Sequence, residues 1–420
     1  MPAVTFTTAG ALGKSALRQA NQRLVLNAIR QNPGVSRADI GRITGLSASS
    51  VTFIVKRLKN EKLLREERSS ARSQVGRQPT ALRIRADAWT ALGIDLTLSG
   101  ARLALTDLEA NTLKRKTVPW HANAQVFFDK VHDAIAGLAD SISSSQLLGA
   151  GVALPGFIDR GTGRVIAAEN FGWFDIEAGR LLSRDFPFPF WFENTAKLSA
   201  LAEMWASDSD ARPLRDFASI TAHSGLGTGV IINRQILQGA RSAACEFGHM
   251  VLYPDGRRCE CGNTGCWEQY VSDLALCRLY REARGATAGG DQDASGIVRL
   301  ARTGDKIALD VLDKTARNLG LGFVSLIMAF NPEAIVVSDY LAEAWDLIEE
   351  TVWSVVRSRV PAYFVTGLRI APSRHHADSA LAGAVALVLT RFFQTFDHSN
   401  RGAPANSSAV RNSHKLSIAS

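Results

Sequence analysis

Residues 248–270, GHMVLYPDGRRCECGNTGCWEQY, concentrate more chemistry than any other segment of this 420-residue chain. His249, Cys259, Cys261 and Cys266 supply one imidazole and three thiols, the donor set of a closed tetrahedral structural zinc site. Gly262 and Gly265 permit the tight turns that would bring the last three thiolates to one point. The C-x-C-x4-C spacing is not the common double C-x2-C, so spacing alone leaves open a set of buried free thiols beside a core histidine. All five cysteines lie in residues 245–277, and the outer two, Cys245 and Cys277, read as small packed apolar residues. Glu246 and Glu268 flank the cluster. Held by a metal clamp and joined by an amide such as Asn194, they are the groups a polyhydroxylated ligand needs, because each hydroxyl wants a fixed acceptor or donor. On the residues alone, either glutamate is equally well an ordinary surface charge.

On either side of this segment, strand-like and helix-like patterns alternate. WTALGIDL and ARLALTDL read as paired strands, QVFFDKVHDAIAGLAD as an amphipathic helix, and LLGAGVAL as a buried strand. PFWFENTAKLSALAEMW reads as strand then helix, and FASITAHSGLGTGVIIN as two strands around a glycine turn. NLGLGFVSLIMAF gives a long apolar helix and AIVVSDY another strand. Such alternation over some 300 residues predicts an α/β body of two lobes.

The first fifth of the chain differs in charge. Residues 1–90 hold 16 Lys+Arg against 5 Asp+Glu, a net +11, while residues 91–420 are net −3. A small basic module for a polyanion, joined to a larger body with another task, follows from that asymmetry. Its punctuation is readable. Apolar residues from Ser15 to Gln31 suit one helical face, and Pro33-Gly34 ends the run. Ser36 with Asp39 resembles a capping box opening a helix that stops at Gly45. Ser47 caps a second helix with Val51, Ile54, Val55 and Leu58 inward. That is helix, glycine turn, helix, and the outward residues Ser47, Ser49, Ser50, Thr52, Lys56 and Arg57 would meet DNA. LLREE and TALRIR then read as two strands around a basic tip carrying Arg68, Arg72 and Arg77, completing a winged helix-turn-helix. Arg77, in GRQP, suits a narrow minor groove. Some winged helices bind only protein, so a polypeptide partner is the competing expectation.

At 45.4 kDa the chain is too long for one ordinary core, and 46% hydrophobic with 21% charged residues is a globular composition. No stretch approaches the roughly 20 apolar residues of a membrane span. The N-terminus lacks a signal-peptide pattern, so a cytoplasmic location is expected. The expected domains are a flexible 1–14, a winged helix-turn-helix over 15–86, an α/β body over 87–393 and a polar, disordered tail over 394–420.

EFGHM followed by CECGNTGCWEQYVS resembles the signature and zinc loop of the ROK family (repressors, open reading frames and sugar kinases). The resemblance runs from about Ser15 to Phe393, and the winged helix with GRQP is similar to the family's transcriptional repressors. It implies an actin/hexokinase-like fold with sugar in the interlobe cleft. His249, Cys259, Cys261 and Cys266 would be zinc ligands. Asn194, Glu246, His249 and Glu268 would face the sugar, with Leu154-Pro155-Gly156 lining the same cleft. Three departures from the family's kinases imply lost catalysis. Leu96-Thr97-Leu98 stands where a Gly-Gly-Thr loop admits phosphates. Thr195 replaces the Asp that would take the hydroxyl proton. Ser338-Asp339 replaces a glycine pair at the nucleotide. The expectation is a repressor bound to a double-stranded operator as a homodimer or homotetramer, with a sugar or sugar phosphate as effector. A sugar kinase using ATP that also binds DNA is the alternative.

Overall fold

Local signals in the basic head are reproduced nearly residue for residue in the computed structural model, which describes residues 14–68, 80–142, 146–205, 214–285, 292–375 and 378–395. Helices α1 (Lys14–Gln31), α2 (Arg37–Thr44) and α3 (Ala48–Asn60) precede strands β1 (Leu64–Arg68) and β2 (Thr80–Ile84). Ser36 and Asp39 form the capping box of α2, which stops at Gly45 with φ 71°. Ser47 caps α3 by accepting the Ser50 amide. Val51, Ile54, Val55 and Leu58 are buried, as their spacing requires. Strands β1 and β2 pair antiparallel with Leu64 opposite Ile84, which is the base of a wing. The tip of that wing, with Arg72 and Arg77, lies outside the described residues.

The body follows in chain order. Its first half holds β3 (Thr90–Thr97), β4 (Gly100–Thr106), β5 (Thr112–Pro119), α4 (Ala124–Ala139) and β6 (Leu147–Leu154). Next come β7 (Phe157–Asp159), β8 (Arg164–Ala168), β9 (Trp173–Ile176), α5 (Ala178–Ser183), β10 (Phe190–Asn194) and α6 (Thr195–Trp205). The second half holds β11 (Phe217–Ala222), β12 (Leu226–Ile232), β13 (Gln235–Ile236), α7 (Glu268–Val271), α8 (Asp273–Arg284), α9 (Ala294–Arg302) and α10 (Lys306–Phe330). It ends with β14 (Ala334–Val337), α11 (Asp339–Glu343), α12 (Trp345–Arg359), α13 (Ala362–Val365), β15 (Arg369–Pro372) and α14 (Ser379–Thr395).

Two five-stranded sheets share one pairing plan. The first has the order β10-β6-β3-β4-β5 and the second β13-β12-β11-β14-β15. In each, an antiparallel three-strand run is extended by two parallel strands reached through helices. The small β7-β8-β9 sheet and the edge strands β5, β13 and β15 were not anticipated from the sequence pattern, because short or exposed segments such as Thr112–Pro119 carry no apolar alternation; nor were helices α8, α9, α12 and α14.

Chain contacts divide the protein into two compact units. Of the described residues, one holds those up to Ala88, Asp185–Pro189 and Thr390–Thr395; the other holds those in Trp89–Arg184 and Phe190–Leu389. Within the first unit Phe393 is buried, and its carbonyl accepts Asn27 Nδ2 at 3.3 Å. The residues of α14 from Thr390 to Thr395 therefore group with the helical head. Among the described residues no helix is long and apolar enough to cross a membrane.

Candidate functional site

A cleft in the body is floored by ends of strands from both sheets. Its walls include Asp95 near the end of β3, Pro155 and Gly156 after β6, Asn194 and Thr195 at the β10–α6 junction, His223–Gly225 between β11 and β12 with Leu226 and Gly227 opening β12, and Asp339 after β14. Strand ends are where backbone groups finish their ladder bonds and side chains become available to a ligand. Gly156, Asn194, Glu246, His249 and Glu268, distant in sequence, all line this cavity. Leu154 does not: it is fully buried in the sheet, because the strand alternation turns it away.

Gly156 adopts φ 71°, and a Cβ there would stand 2.1 Å from the Ala167 carbonyl. Only glycine lets β8 approach so closely. The Gly156 carbonyl in turn accepts Asn194 Nδ2 at 2.9 Å. Asn194 Oδ1 accepts the amides of Ala196 at 2.9 Å and Lys197 at 3.3 Å, so it caps α6. Asn194 is thus a strut of the cleft wall, with one Nδ2 hydrogen left for the cleft. The segment that delivers Glu246 is anchored on buried charges. Glu193 is fully buried between Arg160 at 2.7 Å and Gln238 Nε2 at 2.9 Å. Lys197, almost fully buried, donates to the Ser242 carbonyl. Burial lowers the Lys197 pKa, while Glu193 and Glu246 oppose that shift. Glu246 itself is reached by solvent through the cleft mouth, yet the protein around it pushes its carboxyl up, with His249 and Lys197 pulling the other way.

The ligating atoms of His249, Cys259, Cys261 and Cys266 all lie within 4.8 Å of one another. Cys261 Sγ stands 3.7 Å from Cys266 Sγ, and Cys259 Sγ 3.6 Å from His249 Nδ1. A tetrahedron with metal–sulfur bonds of about 2.3 Å has sulfur–sulfur edges of about 3.8 Å, so the donor set and its spacing fit a small divalent cation. Gly265, at φ 78°, makes the turn: a Cβ would stand 1.6 Å from the Tyr253 carbonyl. Glu268 Oε1 accepts from Cys259 Sγ at 2.7 Å and lies 3.5 Å from His249 Nδ1. The ligand cluster and the cleft therefore share His249 and Glu268. Burial pushes the Cys266 thiol up to about 11 and Cys259 higher still. Cys245 is buried and Cys277 half-buried, and both pack on the core apart from the cluster.

Asp339 and Thr195 stood out in the sequence only as departures from the kinase pattern, and Asp95, Arg102 and His223 did not stand out at all. Asp95 is fully buried and held by Arg102, whose Nε is 3.1 Å away and whose Nη1 reaches Asp378 at 3.3 Å. Burial raises the Asp95 pKa, and Arg102 opposes the rise. Asp339 has φ 57°, a left-handed conformation that favours glycine. Its Oδ2 accepts the Ala222 amide at 3.1 Å, and burial lifts its carboxyl to about 6 against the pull of His223. The Thr195 hydroxyl lines the same cavity, buried and without a hydrogen-bond partner. Positive φ at a non-glycine is invisible in a sequence.

On the head, Ser49, Thr52 and Lys56 are exposed on α3 and Arg57 is half-buried. The hydroxyl of Ser47 bonds those of Ser49 at 3.0 Å and Ser50 at 2.9 Å. Arg57 is paired with Glu61 at 3.3 Å. The serines therefore build the helix start, and part of the Arg57 charge is answered internally.

These two parts, a winged helix-turn-helix and a two-sheet cleft beside a histidine–cysteine loop, define a regulator-like chain built on a sugar-kinase architecture. The chain belongs to the ROK family, whose model matches residues 91–391, and the MarR family model matches residues 18–73. It is 29% identical over 381 residues to the xylose repressor of Bacillus spizizenii, covering 90% of this chain and 96% of that protein. It is 28% identical over 385 residues to the dual regulator NagC of Escherichia coli, covering 89% and 93%. The crystal structure of a ROK family transcriptional regulator, a homolog of the E. coli MLC protein, superposes with a TM-score of 0.76 at 23% identity, covering 90% and 97%. The fold is accordingly a MarR-type winged helix-turn-helix joined to an actin/hexokinase-like body.

Proposed function

We propose that this protein is a sugar-responsive, DNA-binding transcriptional repressor whose body binds the effector and no longer transfers phosphate. The observation that carries this is the meeting of Gly156, Asn194, Glu246, His249 and Glu268 in one cleft, in a chain that also has a winged helix. Near full-length likeness to a protein named xylose repressor supports it. Residues 15–86 would be the DNA-binding domain and 87–393 the sensor, with 394–420 as a tail. Ser47, Ser49, Ser50, Thr52, Lys56 and Arg57 would face duplex DNA, together with Arg72 and Arg77. His249, Cys259, Cys261 and Cys266 would hold zinc, which when bound supplies a rigid brace and not a reaction centre.

Loss of phosphate transfer rests on what occupies the floor. Asp339 sits where the family's kinases have glycine, Thr195 where they have a base, and Leu96-Thr97-Leu98 where they have a phosphate loop. The same floor argues for an unphosphorylated sugar. Asp95, Glu169, Glu246, Glu260, Glu268 and Asp339 line the cleft, and among the described residues no lysine does. Its one guanidinium, Arg102, is engaged by Asp95 and Asp378, and the first free amides of α6 are capped by Asn194. A phosphate dianion would meet six carboxylates, with the one guanidinium already engaged and only the imidazoles of His223 and His249 to face it.

Ligand would act by linkage. A sugar that prefers one of two conformations shifts a homodimer between them, and DNA half-sites at a repeat of about 34 Å penalise a wrong spacing of the two winged helices. We infer that the protein works in the cytoplasm, on genomic DNA. The test is to recover the duplexes the full chain retains from genomic fragments, then titrate matched pairs: glucose and glucose 6-phosphate, N-acetylglucosamine and its 6-phosphate. Only neutral members should change DNA affinity. A response confined to phosphorylated members would overturn the effector class, and phosphate transfer from ATP to any of these sugars would favour the bifunctional kinase.

A further inference from the structure

Helix α3 presents a face that the hydroxyl and basic residues alone do not describe. Ser49, Thr52, Phe53 and Lys56 stand at i, i+3, i+4 and i+7, opposite the buried Val51, Ile54, Val55 and Leu58. Ser49 is engaged by Ser47, Arg57 by Glu61, and Lys59 by Glu66 at 2.6 Å. Among the described residues, Thr52, Phe53 and Lys56 are the members of the face without an internal hydrogen bond or ion pair. Phe53 is 67% exposed, the most open large apolar side chain of its unit among those residues; Ile43 follows at 55%. A single exposed apolar side chain is ordinary on a protein surface. This one is centred on the outward face of the second helix of a helix-turn-helix, beside an unpaired lysine and within the segment of net +11.

We propose that Phe53 is a base-reading residue whose ring packs on the C5 methyl of a thymine in the major groove. The charge around it selects the occupant: a basic face complements duplex DNA, and an apolar protein surface would leave Lys56 buried without a partner. Within the major groove, the thymine methyl is the apolar group that base pairs display, and a phenyl ring can neither donate to nor accept from the polar edges. Thr52 and Lys56 then flank the contact, the lysine on a phosphate. Sequence preference in this protein is thereby assigned in part to an apolar contact and not only to its hydroxyl and basic side chains.

The proposal rests on the DNA-binding reading above, and the test separates the two. Duplexes are selected with the full chain from a random-sequence pool, and the best is resynthesised with each thymine replaced in turn by deoxyuridine, which lacks only the methyl. Wild type should lose about fourfold in affinity at one or two positions, the worth of one buried methyl. Phe53→Ala should be indifferent at those positions, and Phe53→Leu should retain a reduced sensitivity. Methyl removal that never matters, or that matters equally in Phe53→Ala, overturns the proposal while DNA binding stands. Self-association lost in Phe53→Ala with unchanged DNA affinity overturns it in favour of a protein contact. Selection of no duplex by wild type overturns the DNA-binding reading and this proposal together.

Discussion

Asp339 carries the largest consequence of any single side chain in the cleft. It holds a left-handed backbone position, is half-buried at the cleft floor, and has a carboxyl lifted from 3.8 to about 6. Between those pH values the folded chain keeps a proton that the unfolded chain has released, so this group's contribution to stability falls as pH rises through about 4 to 6. Asp339→Asn keeps an amide oxygen for the Ala222 N–H and suits positive φ. Its melting temperature should exceed wild type at pH 7.5, by at most about 3 kcal/mol of stability, with the gap narrowing toward pH 4.5. Equal melting temperatures at both pH values would mean that the carboxylate ionises there without penalty. None of this was legible beforehand. The sequence shows Asp339 only as a residue out of keeping with a kinase glycine, and its company of Asp95, His223 and Arg102 arises from strands far apart in the chain.

Two elements separate what local pattern can say from what it cannot. The histidine–cysteine loop announces itself, because four soft donors and two glycines in a short run admit few alternatives. Cys261→Ser should release bound metal and abolish the sugar response while leaving the affinity of unliganded protein for DNA within about twofold; metal content by atomic absorption and DNA titration check both halves. A retained sugar response without metal would remove the brace from the account. Helix α3 was equally legible in its caps and buried spacing, since 3.6-residue periodicity and N-cap chemistry are local. The Arg57–Glu61 pair stands at i, i+4 and is local, but which outward groups are free was not legible as a whole, because the Lys59–Glu66 pair depends on the wing. Lys56 is the cation left unpaired on that face among the described residues. Lys56→Ala should weaken binding to all duplexes alike and reduce the slope of log affinity against log salt by about 1. A loss restricted to one sequence would make Lys56 a base reader instead.

For the whole molecule, linkage sets a quantitative demand. If sugar alters DNA affinity, DNA must alter sugar affinity by the same factor, typically about 5- to 150-fold for allosteric proteins. Calorimetric sugar titration with and without the retained duplex should give that equality. Unequal factors at equilibrium would mean a further species, such as a change of oligomer, in the cycle. Glu268 tests the route. Glu268→Gln keeps the shape but removes a charge shared by cleft and metal loop, so sugar affinity should fall at least tenfold with DNA affinity unchanged.

By itself the sequence determined a basic winged head, an α/β body, a metal-type donor cluster and a candidate set of cleft residues. Each of these is written in short-range periodicity, capping residues, net charge and close ligand spacing. Only the tertiary structure decided that both sheets share one pairing plan and that the end of α14 groups with the head. It alone showed Asn194 capping α6, and Asp95 buried against Arg102 in the floor of the cleft. The physical reason is range: caps and turns are settled by neighbours a few residues away. The pKa of a buried acid and the freedom of a surface cation are settled by groups that folding brings together from anywhere in the chain.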